Sequence, residues 1–273
     1  YEVVSRDWSS DVCSSDLAKA EAEGAGDGSC KATVLDPVNS LRPSIETTFH
    51  AALDWPVVAH THSIATLVHA ISPEGRTIAQ EKLAGLPAIF VPYAKPGLPL
   101  TQQIMARATA ETQVIVLQNH GLICCGASVA ETHDIIETVE QRLAMPICVE
   151  AKAPTGHTIA GFARLDESWL AYDPRLTEIA LAGSYYPDHV VFLGPALPKA
   201  DHDGSPPVFL IPGQGVYRRD NATSSQRAMI RCLSDCLARV PSDWTVEAIG
   251  PEAEAELLNW DAEKYRQALA ARS

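Results

Sequence analysis

The sequence predicts an α/β fold: a central β-sheet flanked by helices, with an α/β extension at the C-terminal end. Two observations carry that prediction. Short runs rich in Val and Ile, too short for helices, alternate along the chain with segments whose apolar residues recur at helical spacing. Strands alternating with helices imply a sheet covered by helices. The length of 273 residues and the apolar content of 46% allow one large domain or two small ones with a proper core. No repeat of solenoid period is present.

Residues 1–17 stand apart. A near-duplication, Ser9-Ser10-Asp11-Val12 and Ser14-Ser15-Asp16-Leu17, shows neither helical nor strand periodicity. The stretch resembles a translated adapter sequence. A non-native or disordered segment is therefore expected, with the natural N-terminus missing. Residues 18–28, made of Ala, Glu and Gly without an apolar face, read as a frayed lead-in. Residues 43–54 read as a helix, with Pro43 in its first turn, Glu46 early, and Ile45, Phe49 and Leu53 on one face. Pro56 breaks it.

A strand is expected over 57–62, a short helix over 64–71, a strand over 86–91, a helix over 100–110 and a strand over 113–118. Residues 121–125 continue that strand beyond a break, and Gly126 and Ser128 lead into a long helix over 129–150. Residues 153–164, with Pro, Gly and Thr, read as a linker. Beyond it come a helix over 173–181, strands over 189–193 and 208–211, and helices over 222–239 and 252–271. The expected domains are 18–152 and 165–273.

A formal charge of −13 argues against nucleic acid or an anionic membrane as the main partner, since both are polyanions. No apolar run nears the roughly 20 residues that span a bilayer, and no basic-then-apolar signal segment opens the chain. The seven cysteines, Cys13, Cys30, Cys124, Cys125, Cys148, Cys232 and Cys236, are irregularly spaced. They spell neither a disulfide framework nor a zinc knuckle. Cys232 and Cys236, one helical turn apart in an apolar stripe, read as buried thiols. A reducing cytoplasm is expected.

The chemistry concentrates in three histidines. His60 and His62 sit two apart on a predicted strand, so their side chains leave the same face and can share one metal ion. His120 is the best third ligand: it ends another apolar strand, in Gln118-Asn119-His120-Gly121, where glycine lets the backbone turn sharply. Three nitrogen ligands leave coordination positions open, as in a catalytic site. The bland alternative is two histidines on a polar strand face, and it wins for His-x-His taken alone. His50 and His69 read as packing or surface residues on helices. His133, His157 and His202 read as solvated, and His189 begins a strand. Cys124 and Cys125 fit buried strand thiols better than ligands.

Pro43-Ser44-Ile45-Glu46, Ala59-His60-Thr61-His62-Ser63 and Leu117-Gln118-Asn119-His120-Gly121-Leu122 resemble, in order and spacing, the three motifs of the class II aldolase/adducin family. The resemblance runs from about residue 35 to about residue 150. It implies that His60, His62 and His120 bind a divalent metal, zinc by default with manganese or cobalt as alternatives, and that Glu46 is the acid/base carboxylate. It further implies a lyase that cleaves a small-molecule carbohydrate, a ketose or ketose phosphate, through a metal-stabilised enediolate. Epimerase or decarboxylase chemistry, a non-catalytic adducin-like scaffold, or an inactive fragment are the alternatives. Related enzymes form homotetramers, so a homo-oligomer is expected.

Pro187-Asp188-His189-Val190-Val191-Phe192-Leu193-Gly194 and Pro212-Gly213-Gln214-Gly215-Val216 resemble the aldolase half of bifunctional rhamnulose-phosphate aldolase/alcohol dehydrogenases. No GxGxxG fingerprint follows, and Gly213-Gln214-Gly215 reads as a turn, so no NAD site is expected. Two departures from the family bear on the substrate. The phosphate-binding loops are not legible between residues 18 and 41, and Ile45 stands where phosphate-handling members often have a second serine. Ser44 remains as a hydrogen-bond donor. Arg42 can supply charge for a phosphate or carboxylate, with a surface arginine as its default reading. Asn119 orients His120, donates to substrate, or only terminates the strand.

Overall fold

A computed structural model describes residues 15–35, 38, 41–149, 158–165, 168–199 and 206–271. The duplicated stretch up to residue 14, Cys13, the linker up to residue 157, His157 and His202 lie outside the described residues. In chain order the helices are α1 (Ser15–Ala20), α2 (Thr47–Ala52), α3 (Ile64–Ala70), α4 (Pro73–Lys82), α5 (Leu98–Met105), α6 (Val129–Leu143), α7 (Trp169–Tyr172), α8 (Pro174–Ala182), α9 (Pro187–Leu193), α10 (Ser224–Leu237), α11 (Pro251–Asn259) and α12 (Asp261–Ala270). The strands are β1 (Val57–Thr61), β2 (Ala88–Val91), β3 (Val114–Leu117), β4 (Gly121–Gly126), β5 (Phe162–Arg164), β6 (Val208–Ile211) and β7 (Gly215–Arg219). The α/β class read from the sequence is the class observed. Among the described residues no helix is long and apolar enough to cross a membrane.

The chain divides into two compact units, Tyr1–Ser63 with Gln80–Arg142, and Ile64–Ala79 with Leu143–Ser273. The first is built on a four-stranded sheet in the order β1-β4-β3-β2. Its strands pair antiparallel except β2 with β3. Side chains alternate across a sheet, and the register puts Val58, Ile89, Val91, Ile115, Leu117, Ile123 and Cys125 on one face. Phe49 and Leu53 of α2 and Leu100 and Ile104 of α5 pack into the same cluster. His60 belongs to that face too, opposite Ile123. It is the polar end of an otherwise apolar surface. Because β1 and β3 end, and β4 begins, at the same end of the sheet, His60, His62 and the β3–β4 turn converge there.

α2 is shorter than the sequence suggests. Thr47 N–H donates to Ser44 O across 3.1 Å, a turn that precedes the helix proper, and Glu46 becomes its N-cap. The C-terminal end is extended at Leu53, short of Pro56. α6 likewise stops at Leu143 rather than running to residue 150, because Pro146 disfavours helix in the residue before it.

The second unit holds a three-stranded antiparallel sheet, β5-β7-β6. Its core gathers Leu67 and Val68 of α3, Leu193 of α9, Leu210 and Val216 of the sheet, and Ile230, Leu233 and Leu237 of α10, all buried. Residues 189–193, expected as a strand, lie within helix α9. Pro187 at its first turn and Gly194 at its end (φ 91°) set helical limits, and the intervening residues are buried all round except Phe192. A fully buried apolar run carries no periodicity that separates helix from strand. Gly213 and Gln214 form the tight turn between β6 and β7, closed by Gln214 N–H to Ile211 O at 3.0 Å. The expected last helix is two, α11 and α12, parted at Trp260 (φ −82°, ψ 126°).

Candidate metal centre

Three elements of the first unit deliver the site. β1 carries His60, with His62 just past its end. His60 Nδ1 lies 3.0 Å from Leu122 O on the neighbouring strand. That contact assigns the ring hydrogen to Nδ1 and leaves Nε2 with its lone pair. The β3–β4 turn carries His120. Asn119 takes a left-handed conformation (φ 52°), and His120 N–H donates to Leu117 O at 3.2 Å. Such a conformation suits asparagine better than most residues. The N-cap of α2 carries Glu46, whose backbone N–H donates to Ser44 Oγ at 3.2 Å.

The three rings form a nearly equilateral set, with centroids 4.9 Å (His60–His62), 5.1 Å (His60–His120) and 5.2 Å (His62–His120) apart and planes steeply inclined. His60 Nε2 lies 3.1 Å from His62 Nε2. Glu46 Oε1 lies 3.3 Å from His60 Nε2 and 3.4 Å from His120 Nε2. One ligand atom from each of the four residues falls within 4.8 Å of all the others, an arrangement that could hold a metal ion. Side-chain exposure is 3% at His120, 8% at His60 and 21% at Glu46. Desolvation pulls His120 down to about 4 against the opposing pull of Glu46, so the ring is neutral at pH 7. Burial alone would raise the Glu46 carboxyl, but the facing His60 and His120 hold it well below the ordinary carboxylate range. Neutral imidazoles and an ionised carboxylate are a donor set for a divalent cation.

Gly121 is what lets the parts approach. A Cβ there would sit 2.5 Å from Thr61 O, 3.0 Å from His62 Cδ2 and 3.2 Å from His60 Cε1. The sequence marked this glycine only as a turn residue. Its second role, leaving room for two histidine rings, depends on a neighbouring strand and has no local signature.

The geometry thus brings His60, His62, His120 and Glu46 together. Ser44 joins them through the Glu46 backbone, and Asn119 as the turn residue before His120. Arg42 is an exposed side chain two residues before Ser44. His50, read as a packing or surface residue, is half-buried one helical turn beyond Glu46, with its ring stacked on Phe49. The other described histidines lie elsewhere. His69 is buried with Nδ1 2.8 Å from Ala65 O, His133 is exposed beside Asp134 and Glu137, and His189 is wholly buried in α9. Cys124 and Cys125 are buried in β4, and burial pushes both thiols up, Cys125 to about 12. They are poor sources of the thiolate a metal would need.

The chain has relatives among known proteins. The profile of the class II aldolase and adducin N-terminal domain matches residues 9–147. The chain is 34% identical over 107 residues to the uncharacterized oxidoreductase YuxG of Bacillus subtilis, a match covering 37% of this chain and 15% of that protein. It is 28% identical over 109 residues to an L-fuculose phosphate aldolase of Methanocaldococcus jannaschii, covering 37% of this chain and 59% of the relative. Both matches span less than two thirds of the relative's length. Among solved structures, the N-terminal class II aldolase domain of a conserved protein from Thermoplasma acidophilum matches with a TM-score of 0.44 and 26% identity, over 48% of this chain and 63% of that one.

Proposed function

Because the chain belongs to the class II aldolase and adducin family, we propose that it is a metal-dependent lyase that breaks a carbon–carbon bond in a small hydroxylated keto compound, a ketose or ketose phosphate. The observation that carries this reading is the convergence of His60, His62, His120 and Glu46 on one point. A scaffold needs no such cluster, and a carboxylate held against the poorly exposed His60 and His120 rings is costly unless something is bound there.

In this reading His60, His62 and His120 hold a divalent ion, zinc by default, with manganese or cobalt as substitutes. The bound ion supplies a Lewis acid for negative charge developing on the substrate's oxygens. Glu46 moves the proton that cleavage requires, at Oε1. The start of α2 aims the carboxylate at the site, and its contacts with His60 and His120 fix that aim. Ser44 and Arg42 lie just ahead of Glu46 in the chain, positioned to recognise an anionic or hydroxylated part of the substrate, and Asn119 sets the orientation of His120. A homo-oligomer in a reducing cytoplasm completes the reading. Support for that compartment comes from the free thiols, since the six cysteines among the described residues are unbridged.

The test is metal content. The chain purified without added metal is compared with the His60→Ala/His62→Ala double variant. Near one ion per chain, lost in the double variant, is expected, followed by cleavage of some member of a panel of ketoses and ketose phosphates. Product mass separates cleavage from epimerisation, because only cleavage changes carbon count. A folded parent that takes up no zinc, manganese or cobalt would sink the lyase reading.

A further inference from the structure

We infer that the buried hydroxyl pair Thr48–Thr101 positions Glu46 at the metal site, by locking the helix that carries the carboxylate to its neighbour α5. The inference rests on the metal-site reading above and adds to it two residues outside the ligand set.

Glu46 is the N-cap of α2, and its backbone is held on both sides. Glu46 N–H donates to Ser44 Oγ at 3.2 Å, and Glu46 O accepts from His50 N–H at 3.3 Å. Its aim therefore follows the seat of α2 as a whole. Two residues on, Thr48 Oγ1 lies 2.7 Å from Thr101 Oγ1 of α5, and Thr101 Oγ1 donates to Gly97 O at 3.2 Å. A hydroxyl has one hydrogen to give. Thr101 gives its hydrogen to Gly97, so Thr48 donates to Thr101. The relay runs one way, from α2 through α5 to the residue that caps α5. Gly97 O also accepts Thr101 N–H at 3.0 Å, which fixes the far end of the relay within the first turn of α5.

Both threonines are wholly buried, where valine would have the same shape and no polar atom to desolvate. Replacing both partners of a buried hydrogen bond by apolar groups of that shape is nearly neutral for stability. The hydroxyls are therefore better explained by geometry than by strength. The apolar side chains that α2 and α5 share, Phe49 and Leu53 with Leu100 and Ile104, hold the helices together without direction. Such contacts let a six-residue helix turn or slide a little on its neighbour. A 2.7 Å bond between two named atoms does not allow it. The margin is small, since Glu46 Oε1 stands 3.3 Å from His60 Nε2 and 3.4 Å from His120 Nε2. Sites of this kind need their groups held to within about 0.5 Å.

The test uses cobalt(II) as the probe ion, read by its visible absorption, with thermal unfolding of the metal-free chain as the control for folding. Thr48→Val keeps the shape and removes the interhelix bond, while Thr101 keeps its bond to Gly97. Thr48→Ser restores the hydroxyl. The expected result in Thr48→Val is a displaced cobalt band and binding weakened about fivefold, the contribution of one hydrogen bond. Thr48→Ser is expected to show the parent's band and affinity. A residue that acts through Glu46 has nothing to act on once the carboxylate is gone. In a Glu46→Gln background, Thr48→Val is therefore expected to change neither band nor affinity. Three results overturn the inference: a folded Thr48→Val that matches the parent, a Thr48→Ser as weak as Thr48→Val, or the same loss with and without the Glu46 carboxylate. If Thr48→Val does not fold, Thr101→Val breaks the same bond from the other side and is judged by the same outcomes. Failure of both to fold makes the pair a stability element and overturns the inference too. Failure of the underlying reading gives a different result, in which the parent itself binds no cobalt and both ideas fall.

Discussion

His60 turns Nδ1 to the carbonyl oxygen of Leu122, 3.0 Å away, and that contact leaves Nε2 as the nitrogen available to a ligand. A neutral imidazole has one N–H. Given to Leu122, it leaves a bare Nε2 facing His62 Nε2 at 3.1 Å and Glu46 Oε1 at 3.3 Å. Lone pairs crowded this closely repel unless a proton or a cation sits among them. Low exposure sharpens the conflict, because water is poorly placed to relieve it. A divalent ion resolves the whole arrangement at once.

Metal should therefore stabilise the fold. An ion that binds only the folded chain adds about 2.7 kcal/mol at a free concentration 100 times its dissociation constant. Thermal unfolding with zinc and with a chelator is expected to separate by several degrees in the parent and to coincide in His62→Ala. Coincident curves in the parent would count against the site.

Gly121→Ala tests the space the site needs. Its Cβ would press on Thr61 O at 2.5 Å, a backbone atom that cannot swing away, and on the His62 and His60 rings. Overpacking of this kind costs about 1–3 kcal/mol. The variant is expected to fold less stably and to bind zinc much more weakly, as measured by denaturant unfolding and metal titration. Unchanged metal affinity would mean that the histidines move freely of β4.

Asn119 separates turn formation from substrate contact. At φ 52° a glycine is at ease, whereas valine pays the left-handed penalty of about 1–2 kcal/mol. Asn119→Gly should keep stability and metal, and Asn119→Val should lose both in part. Should Asn119→Gly retain metal yet lose cleavage, the side chain acts on substrate rather than on the turn.

The difference between these two neighbours shows what a sequence can disclose about such a site. His60 and His62 are legible because strand alternation is local, and His120 because an apolar strand ends at it. Glu46 is legible as an early helix residue, although it proves to be the N-cap. Leu122 is invisible as a partner, because its contribution is a carbonyl oxygen that every residue has. Gly121 acts through residues about sixty positions away, in contacts that only the folded sheet creates. The same limit hid α9: Val190 and Val191 favour strands locally, and burial on every side overrode that preference. β7 has no such local signature, because Arg218 and Arg219 break its apolar run.

Glu46→Gln should divide binding from catalysis. The amide keeps size and one acceptor but cannot take a proton at the site. Loss of a general acid/base group typically costs about 10²–10⁴-fold in rate. Zinc affinity is expected to fall modestly and cleavage to fall by that factor, measured once a substrate is in hand. Equal, small losses in both would remove Glu46 from the proton-transfer role and leave it a ligand or a structural carboxylate.

His189 predicts an acid limit for the second unit. The ring is wholly buried in α9, and among the described residues neither nitrogen has a hydrogen-bond partner. Tyr186 and Tyr185 lie 5.7 and 6.3 Å away by ring centroid, and the adjacent Asp188 is engaged by Arg266 at 3.1 Å. Desolvation drives His189 from 6.5 to about 3. The sign follows from which state takes up the proton. Between these values the unfolded chain binds it and the folded chain does not, so the contribution is complete above about pH 6.5 and declines as pH falls toward 3. Within that window each pH unit removes about 1.4 kcal/mol. His189→Leu removes both partnerless nitrogens at similar bulk. Its stability at pH 7 should match or exceed that of the parent, and its loss of stability between pH 6 and 4 should be shallower by nearly one proton. His120 and His50, both held at about 4, slope the same way in both proteins and cancel in the difference. Parallel curves for parent and variant, read by denaturant unfolding across that range, would show that His189 already titrates normally in the folded chain.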